Sequence, residues 1–357
     1  RRALQREERR GAQRALGEPG DELARVDEVA HLRRLADERE LALGVGPGLE
    51  LGGRPGLGQI ARGGRGVAVV DDLDHPEFER RLRDFPLDIV GISTYTHSLP
   101  DVQLTINAVR KINPNAFIML GGPHPIMFPE FAIALPGVDA ICTGDGDDVI
   151  IDLVTALDKG LDLSAVSGIW FRDSSGQIVR NENRKERRDL TWQTWPDRRR
   201  SRFRDYWVPG SKQPLVTTAI TSRGCPHSCP FCFTYTKQYR MRDVENILDE
   251  IEDCISIGIT EVFFVDDLFT PNSQWALKFC DAIERRQLKF NWGYKTTIAG
   301  TTREQIRRCA ETGCTKMHFG VETMTNEGLA EHDKHCDTDD VHRVFKWCKE
   351  EGLRSVA

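Results

Sequence analysis

The chain has 357 residues, 39% hydrophobic and 29% charged, enough for two globular domains with cores of their own. A net charge of −6 and an isoelectric point near 5.9 give no electrostatic footprint for a nucleic-acid binder. No stretch approaches the roughly 20 consecutive apolar residues of a membrane helix, and the start of the chain holds no secretory apolar region, so we expect a cytoplasmic protein.

The chain opens on Arg1 and closes just after a new apolar run begins past Gly352, so both ends read as cut. Residues 1–66 lack Phe, Trp, Tyr, Cys, Lys, Ser, Thr, Asn and Met, yet hold 13 of the 31 glycines. A core needs aromatic and branched anchors, and this stretch offers mainly short Leu/Ala runs such as Val26 to Leu43. It reads either as a disordered or loosely helical extension or as a misread frame of a GC-rich gene joined upstream of a genuine one. We assign it no function.

From Val67 the pattern becomes short buried runs alternating with amphipathic stretches. Val67–Val70, Ile89–Ser93, Phe117–Leu120 and Asp139–Cys142 have strand length and are nearly continuous in apolar residues, which suits a parallel sheet covered on both faces. Val102, Ile106 and Val109 follow Asp101, read as an N-cap, and Ile150, Leu153, Val154 and Leu157 repeat at helical spacing. This punctuation predicts a doubly wound α/β domain. In such sheets ligands bind beyond the carboxyl ends of the strands. Those ends read Gly91 to Thr96, Gly121 to Pro125 and Gly144 to Asp147. Glycines there either make tight turns or let backbone approach a bulky ligand, and the hydroxyls of Ser93, Thr94 and Thr96 can hydrogen-bond one. His97 and His124 read as loop hydrogen-bonders.

Residues 161–212 read as a connector containing a hairpin, with Gly168–Phe171 and Gln177–Val179 flanking Asp173–Gly176, followed by an Arg-rich run to Arg204 that reads as solvated surface. A second alternating unit begins at Leu215–Ile220 and continues through Glu261–Val265, Phe290–Tyr294, Lys316–Phe319 and Arg354–Ala357. Its helical stripes are Val244, Ile247, Leu248, Ile251 and Ile255, then Ala276, Phe279, Cys280 and Ile283, then Val341, Val344, Phe345 and Cys348. Consecutive β-α units predict part of a barrel whose chemistry sits at the carboxyl ends of its strands.

The ten cysteines are too dilute for a disulfide scaffold, and seven of them, Cys142, Cys254, Cys280, Cys309, Cys314, Cys336 and Cys348, read as packing residues. Cys225, Cys229 and Cys232 differ. They form a C-x3-C-x2-C triplet in a Gly/Pro-rich loop right after the first strand of the second unit. Three thiolates this close can grip one metal centre. Structural zinc wants four ligands, and the nearby fourth would be His227, squeezed inside the spacer. A four-iron cluster uses three cysteines and leaves one iron open to an exogenous chelating ligand, which ranks it above zinc.

The triplet, with Phe231 just before its last cysteine, resembles the radical S-adenosylmethionine (SAM) enzymes. Tyr239-Arg240, Val265–Thr270, and Gly320–Thr323 followed by Leu329 and Lys334 are similar to the cobalamin-dependent subgroup, which includes the anaerobic magnesium-protoporphyrin monomethyl ester cyclase and many methyltransferases. The loops at Gly121–His124 and Gly144–Asp147 fit its cobalamin-binding domain, and the resemblance spans residues 67–357.

The resemblance implies a Rossmann-like cobalamin-binding domain over 67–160, the connector over 161–212, and a partial (β/α) radical SAM barrel over 213–357 whose later strands lie beyond Ala357. It implies that Cys225, Cys229 and Cys232 ligate a 4Fe-4S cluster whose free iron chelates SAM for reductive cleavage to a 5′-deoxyadenosyl radical. It places Phe231 by the adenine, Asp266 and Asp267 at the methionine amino group, and Glu322 at the ribose hydroxyls. Ser93, Thr94, Thr96, Gly121, Gly122, Gly144 and Gly146 are the expected cobalamin-binding residues. No Asp-x-His-x-x-Gly motif is present, so no cobalt-ligating histidine is identified. The expected reaction is methylation of an unreactive carbon in a small molecule, with an electron donor such as flavodoxin or ferredoxin. The alternatives are oxidative ring closure of a tetrapyrrole and, in another class, a non-catalytic corrinoid- or zinc-binding module. Neither nucleic acid nor a membrane span is expected.

Overall fold

A computed structural model describes residues 67–69, 82–83, 88–200, 215–234 and 236–357. The expectations for residues 1–66, for 201–212 of the connector and for 213–214 lie outside the described residues.

The apolar runs form a six-stranded sheet in the order β1 (Val67–Val69), β2 (Ile89–Ser93), β3 (Phe117–Gly121), β4 (Ala140–Cys142), β5 (Ile169–Arg172) and β6 (Ile178–Arg180). β1 to β4 are parallel, and β5 and β6 add antiparallel, so the hairpin expected in the connector extends this sheet. Helices α1 (Leu99–Ile112), α2 (Pro123–Met127), α3 (Pro129–Ala134) and α4 (Gly146–Lys159) follow the strands. The period-2 alternation of β3 divides the core. Ile118 and Leu120 pack with Val102, Ile106 and Val109 of α1 and Ile133 of α3, whereas Met119 packs with Val149, Leu153 and Ala156 of α4. Helices on both faces are the doubly wound arrangement.

Asp101 is not the N-cap of α1. Ser98 holds that position and Asp101 sits in the first turn, because Pro100 is tolerated where amides have no intrahelical partner. Pro123 and Pro129 likewise open α2 and α3, in a stretch read as loop.

The second sheet is all parallel, its strands lying side by side in the order Arg354–Val356, Cys314–Phe319, Asn291–Thr296, Glu261–Phe264 and Val216–Ala219. β7 (Val216–Ala219) leads into a ribbon of β8 (Ser222–Arg223) and β9 (Arg240–Met241), too short for sequence periodicity to reveal. Then come α5 (Val244–Ser256), β10 (Glu261–Phe264), α6 (Ser273–Arg285), β11 (Asn291–Thr296), α7 (Arg303–Glu311), β12 (Cys314–Phe319), α8 (Asn326–Glu331), α9 (Thr338–Glu350) and β13 (Arg354–Val356). Asp243, Asn272, Thr302, Thr325 and Asp337 cap α5 to α9, each accepting a backbone N–H two or three residues on.

The expected stripes face the barrel core, with Ile255 and Phe345 only partly buried. Phe264, Phe269, Phe279, Trp292 and Tyr294 form its centre, with Phe269 and Tyr294 rings 4.6 Å apart. Burying one such side chain contributes roughly 1.5–3 kcal/mol. Trp292 satisfies its indole N–H on the Thr312 carbonyl at 3.0 Å. Six of the seven cysteines read as packing residues are buried and Cys336 is half-buried; all are free thiols.

A buried ionic triad ties the connector to the barrel. Glu250 of α5 accepts from Arg198 at 2.7 Å and from Arg242, with the three side chains at most 6% exposed. Arg198 also donates to the Thr218 carbonyl at 2.6 Å, and Arg242 to that of Ile220 at 2.8 Å. Part of the Arg-rich run is therefore interior, not solvated surface. Among the described residues, no helix is long and apolar enough to cross a membrane.

Candidate active site

The cysteine loop leaves the sheet just past the carboxyl end of β7, and its root is anchored from β10. Oδ1 of Asp266 accepts from Thr221 N at 2.9 Å, Thr221 Oγ1 at 2.8 Å, Ser222 Oγ at 2.6 Å and the Ser222 amide. Asp266 is buried, and its Oδ2 has no hydrogen-bond partner among the described residues. Burial raises its pKa, against the pull of the Ser222 and Thr221 hydrogen bonds. Asp266, expected to serve the SAM amino group together with Asp267, is thus turned inward with one oxygen committed to the loop root. Asp266→Ala should cost on the order of 3 kcal/mol in urea denaturation, since each orphaned buried donor costs about 1–3 kcal/mol. Asp266→Asn keeps an acceptor and should cost distinctly less. Unchanged stability in the Ala variant would remove this anchoring role.

Gly224 begins the loop with φ of 82°, and a Cβ there would collide with the Gln238 carbonyl, so the neck admits only glycine. Cys225 and Cys229 are half-buried and Cys232 is exposed, with the Cys232 amide donating to the Cys229 carbonyl at 3.1 Å. Burial pushes the Cys225 thiol up in pKa; the His227 backbone pulls it down, and nearby Asp267, Cys232 and Cys229 push it further up. Among the described residues no three His, Cys, Asp or Glu side chains converge tightly enough to chelate a single ion. A 4Fe-4S cluster makes a different demand, because it takes each thiolate on a separate iron. Three thiols on one loop, with no fourth ligand converging on them among the described residues, fit that donor set.

Facing the loop is the segment after α8. Asp333 accepts from Ser228, the His332 ring meets Phe231 edge-on at 5.1 Å, and Lys334 Nζ lies 5.2 Å over the Phe231 ring. Lys334 also pairs with Glu322 at 3.4 Å. Glu322 and Asp333 hold left-handed φ of 69° and 56°, an uncommon conformation outside glycine that concentrates at functional sites. Phe231, Asp267 and Glu322 are exposed and gather with the cysteines at this end of the sheet.

The first domain's loops behave less uniformly. Ser93 and Thr96 are exposed, but Thr94 is fully buried and donates to the Ile92 carbonyl, which corrects its expected role as a ligand hydroxyl. A Cβ at Gly122, where φ is 93°, would press on Ser93 and Thr94, and one at Gly121 would lie 4.0 Å from the Cys142 Cβ. A Cβ at Gly144 or Gly146 would meet nothing within 4 Å, so this turn is the open one. Thr96 pairs with His124 Nδ1 at 3.0 Å, while buried His124 Nε2 has no partner among the described residues.

Burial lowers the His124 pKa below its ordinary 6.5. As pH falls through that value the unfolded chain takes up a proton that the folded chain refuses, so the stability present above it is progressively lost until the lowered folded pKa is reached. The thermal midpoint should therefore drop between about pH 7.5 and about pH 5.5, and less so in His124→Asn. Equal drops in both proteins would show that His124 is not responsible.

The two domains meet where the Gly144–Asp147 turn touches the ribbon under the cysteine loop. Arg240 is 1% exposed and places Nη1 2.8 Å from Asp145 Oδ2. Arg223 reaches Asp145 Oδ1 at 3.0 Å and Asp147 at 2.7 Å. A cavity of about 330 Å³ lies alongside, lined by this turn, Trp192, Phe233 and Arg240 among others. Sequence reasoning singled out Gly144 and Gly146 but missed Asp145 and Arg223. An acid between two glycines was the available signal, and nothing along the chain paired it with arginines far downstream.

A B12 binding domain model matches residues 61–154 and a radical SAM superfamily model matches residues 219–357. An uncharacterized methyltransferase of Pyrococcus horikoshii is 28% identical over 278 residues, covering 75% of this chain and 60% of that protein. The anaerobic magnesium-protoporphyrin IX monomethyl ester cyclase of Rubrivivax gelatinosus is 26% identical over 300 residues, covering 81% of this chain and 54% of that protein. The radical SAM methyltransferase TsrM from Kitasatospora setae, solved with cobalamin and a 4Fe-4S cluster bound, superposes with a TM-score of 0.67 at 16% identity, covering 78% of this chain and 58% of TsrM. The chain thus spans less than two thirds of the length of each. The two matched domains are those that take cobalamin, and a 4Fe-4S cluster with SAM, as cofactors. The chain thus joins a B12-binding domain at residues 61–154 to a radical SAM superfamily domain at residues 219–357, the two-domain arrangement of cobalamin-dependent radical SAM proteins.

Proposed function

We propose that this protein methylates an unreactive carbon of a small molecule by cobalamin-dependent radical SAM chemistry. The observation that carries the reading is the meeting of the Gly144–Asp147 turn with the neck of the cysteine loop, which brings the elements assigned to the two cofactors together. A 4Fe-4S cluster held by Cys225, Cys229 and Cys232 would supply one-electron reductive cleavage of SAM and so hydrogen abstraction from the substrate, and a cobalamin on the Gly144–Asp147 turn would supply methyl transfer.

Cys225, Cys229 and Cys232 would hold three irons and leave the fourth to SAM. Phe231 offers a flat apolar face to the adenine. Exposed Asp267 and Glu322 offer carboxylates to an ammonium and to vicinal hydroxyls, and Lys334 holds Glu322 in place. The electron would come from a donor of the flavodoxin or ferredoxin class, in a reducing cytoplasm where the ten thiols stay free. Similarity to the Rubrivivax cyclase over most of the chain supports a second reading, ring closure of a tetrapyrrole.

The test is electron paramagnetic resonance of the anaerobically reconstituted, dithionite-reduced protein with and without SAM, followed by incubation with methylcobalamin. A reduced four-iron signal that changes on adding SAM is expected. Zinc at one equivalent with no such signal would instead establish a non-catalytic module.

A further inference from the structure

The neck of the cysteine loop carries an unfavourable pairing that only another part of the fold relieves. In the ribbon of β8 and β9, Arg223 and Arg240 stand directly opposite one another. Like charges across a two-stranded ribbon repel, and the Arg240 side chain is almost fully withdrawn from water. Each arginine binds a different oxygen of one carboxylate, Asp145, at 3.0 Å and 2.8 Å. Around them, Asp147 takes Arg223 at 2.7 Å and Gln193 at 2.9 Å, while Glu186 takes Thr236 at 2.9 Å and lies 3.5 Å from Arg240. Arg223 and Arg240 bracket residues 224–239, the segment that holds all three cysteines. Asp145 lies between Gly144 and Gly146, the turn with open space beside it.

We propose that Asp145 is a positioning residue: it closes the neck of the cysteine loop by bridging Arg223 and Arg240, and so couples the position of that loop to the 144–146 turn. The coupling part rests on the reading of this turn as a cobalamin loop; the closure of the neck does not. A ligand that settles on the turn fixes Asp145 and tightens the neck. Without this carboxylate the two arginines lose the one acceptor they share, and the ribbon loosens even though Asp147 and Glu186 remain.

Hydrogen exchange of the full chain tests both parts. Wild type, Asp145→Asn and Asp148→Asn are compared without cofactors; Asp148 is the control because its carboxylate, on the same turn of chain, pairs with Arg187 and bridges neither neck arginine. Exchange in peptides covering Ser222–Arg223 and Arg240–Met241 should speed up about tenfold in Asp145→Asn, the scale of losing a charged hydrogen bond, while α5 and the Asp148→Asn protein exchange as in wild type. Adding Arg223→Gln to Asp145→Asn removes the repulsion and should slow the neck again; it also serves if Asp145→Asn alone does not fold. Neck exchange at the wild-type rate in folded Asp145→Asn overturns the proposal. With hydroxocobalamin, neck exchange should slow in wild type and not in Asp145→Asn. Cobalamin bound by absorbance with an unresponsive wild-type neck overturns the coupling. Failure to bind cobalamin tells against the cobalamin reading, and the cofactor-free arm still decides the clamp.

Discussion

Replacing Cys225, Cys229 or Cys232 singly by Ala is expected to abolish both the reduced-cluster resonance and 5′-deoxyadenosine formation. In the proposed site each thiolate would hold a separate iron, so removing one would strip an iron of its protein ligand and open a second site on a cluster that needs a single one for SAM. The effect should not arise from unfolding, because these side chains are half-buried or exposed and lie outside the barrel core. Cys348→Ala is the contrasting variant. That thiol belongs to the buried α9 stripe, so its loss should lower thermal stability modestly and leave the resonance intact. Deoxyadenosine production surviving in any of the three loop variants would refute the assignment of that cysteine.

The second large effect is on stability. Glu250→Ala should destabilise the protein by about 3–5 kcal/mol, the scale of stranding a buried charge without its partner. Two arginines are stranded, since Arg198 and Arg242 both close on this carboxylate. Buried ion pairs in other settings can be exchanged for hydrophobic side chains at little cost. That exchange should not rescue this protein: Arg198 and Arg242 also serve the Thr218 and Ile220 carbonyls, which would then be left unpaired. Urea denaturation of Glu250→Ala and of a triple Arg198→Met, Glu250→Leu, Arg242→Met variant checks both statements. A triple variant as stable as wild type would mean the carbonyl contacts are dispensable.

Much of the site was legible along the chain because its chemistry is local. A cysteine triplet keeps its spacing whatever the fold does, and strand and helix periods are set by which residues face a core. The apolar stripes of α5, α6 and α9 therefore lie where their spacing put them, and the cysteine loop follows a parallel strand as expected. Short elements were not legible. The two-residue strands β8 and β9 carry no period, and α2 and α3 begin on prolines that read as loop punctuation.

What the sequence determined by itself was the succession of strands and helices, the two domains, and the spacing of the cysteine triplet. Only the tertiary structure decided which polar groups face one another. It turned Thr94 and Asp266 inward, made Arg198 interior, and set Asp145 between Arg223 and Arg240, residues 78 and 95 positions away in the chain. The physical reason is range. Side-chain periodicity and motif spacing are properties of neighbouring residues, whereas burial of a charge is decided by the partner that long-range packing brings to it.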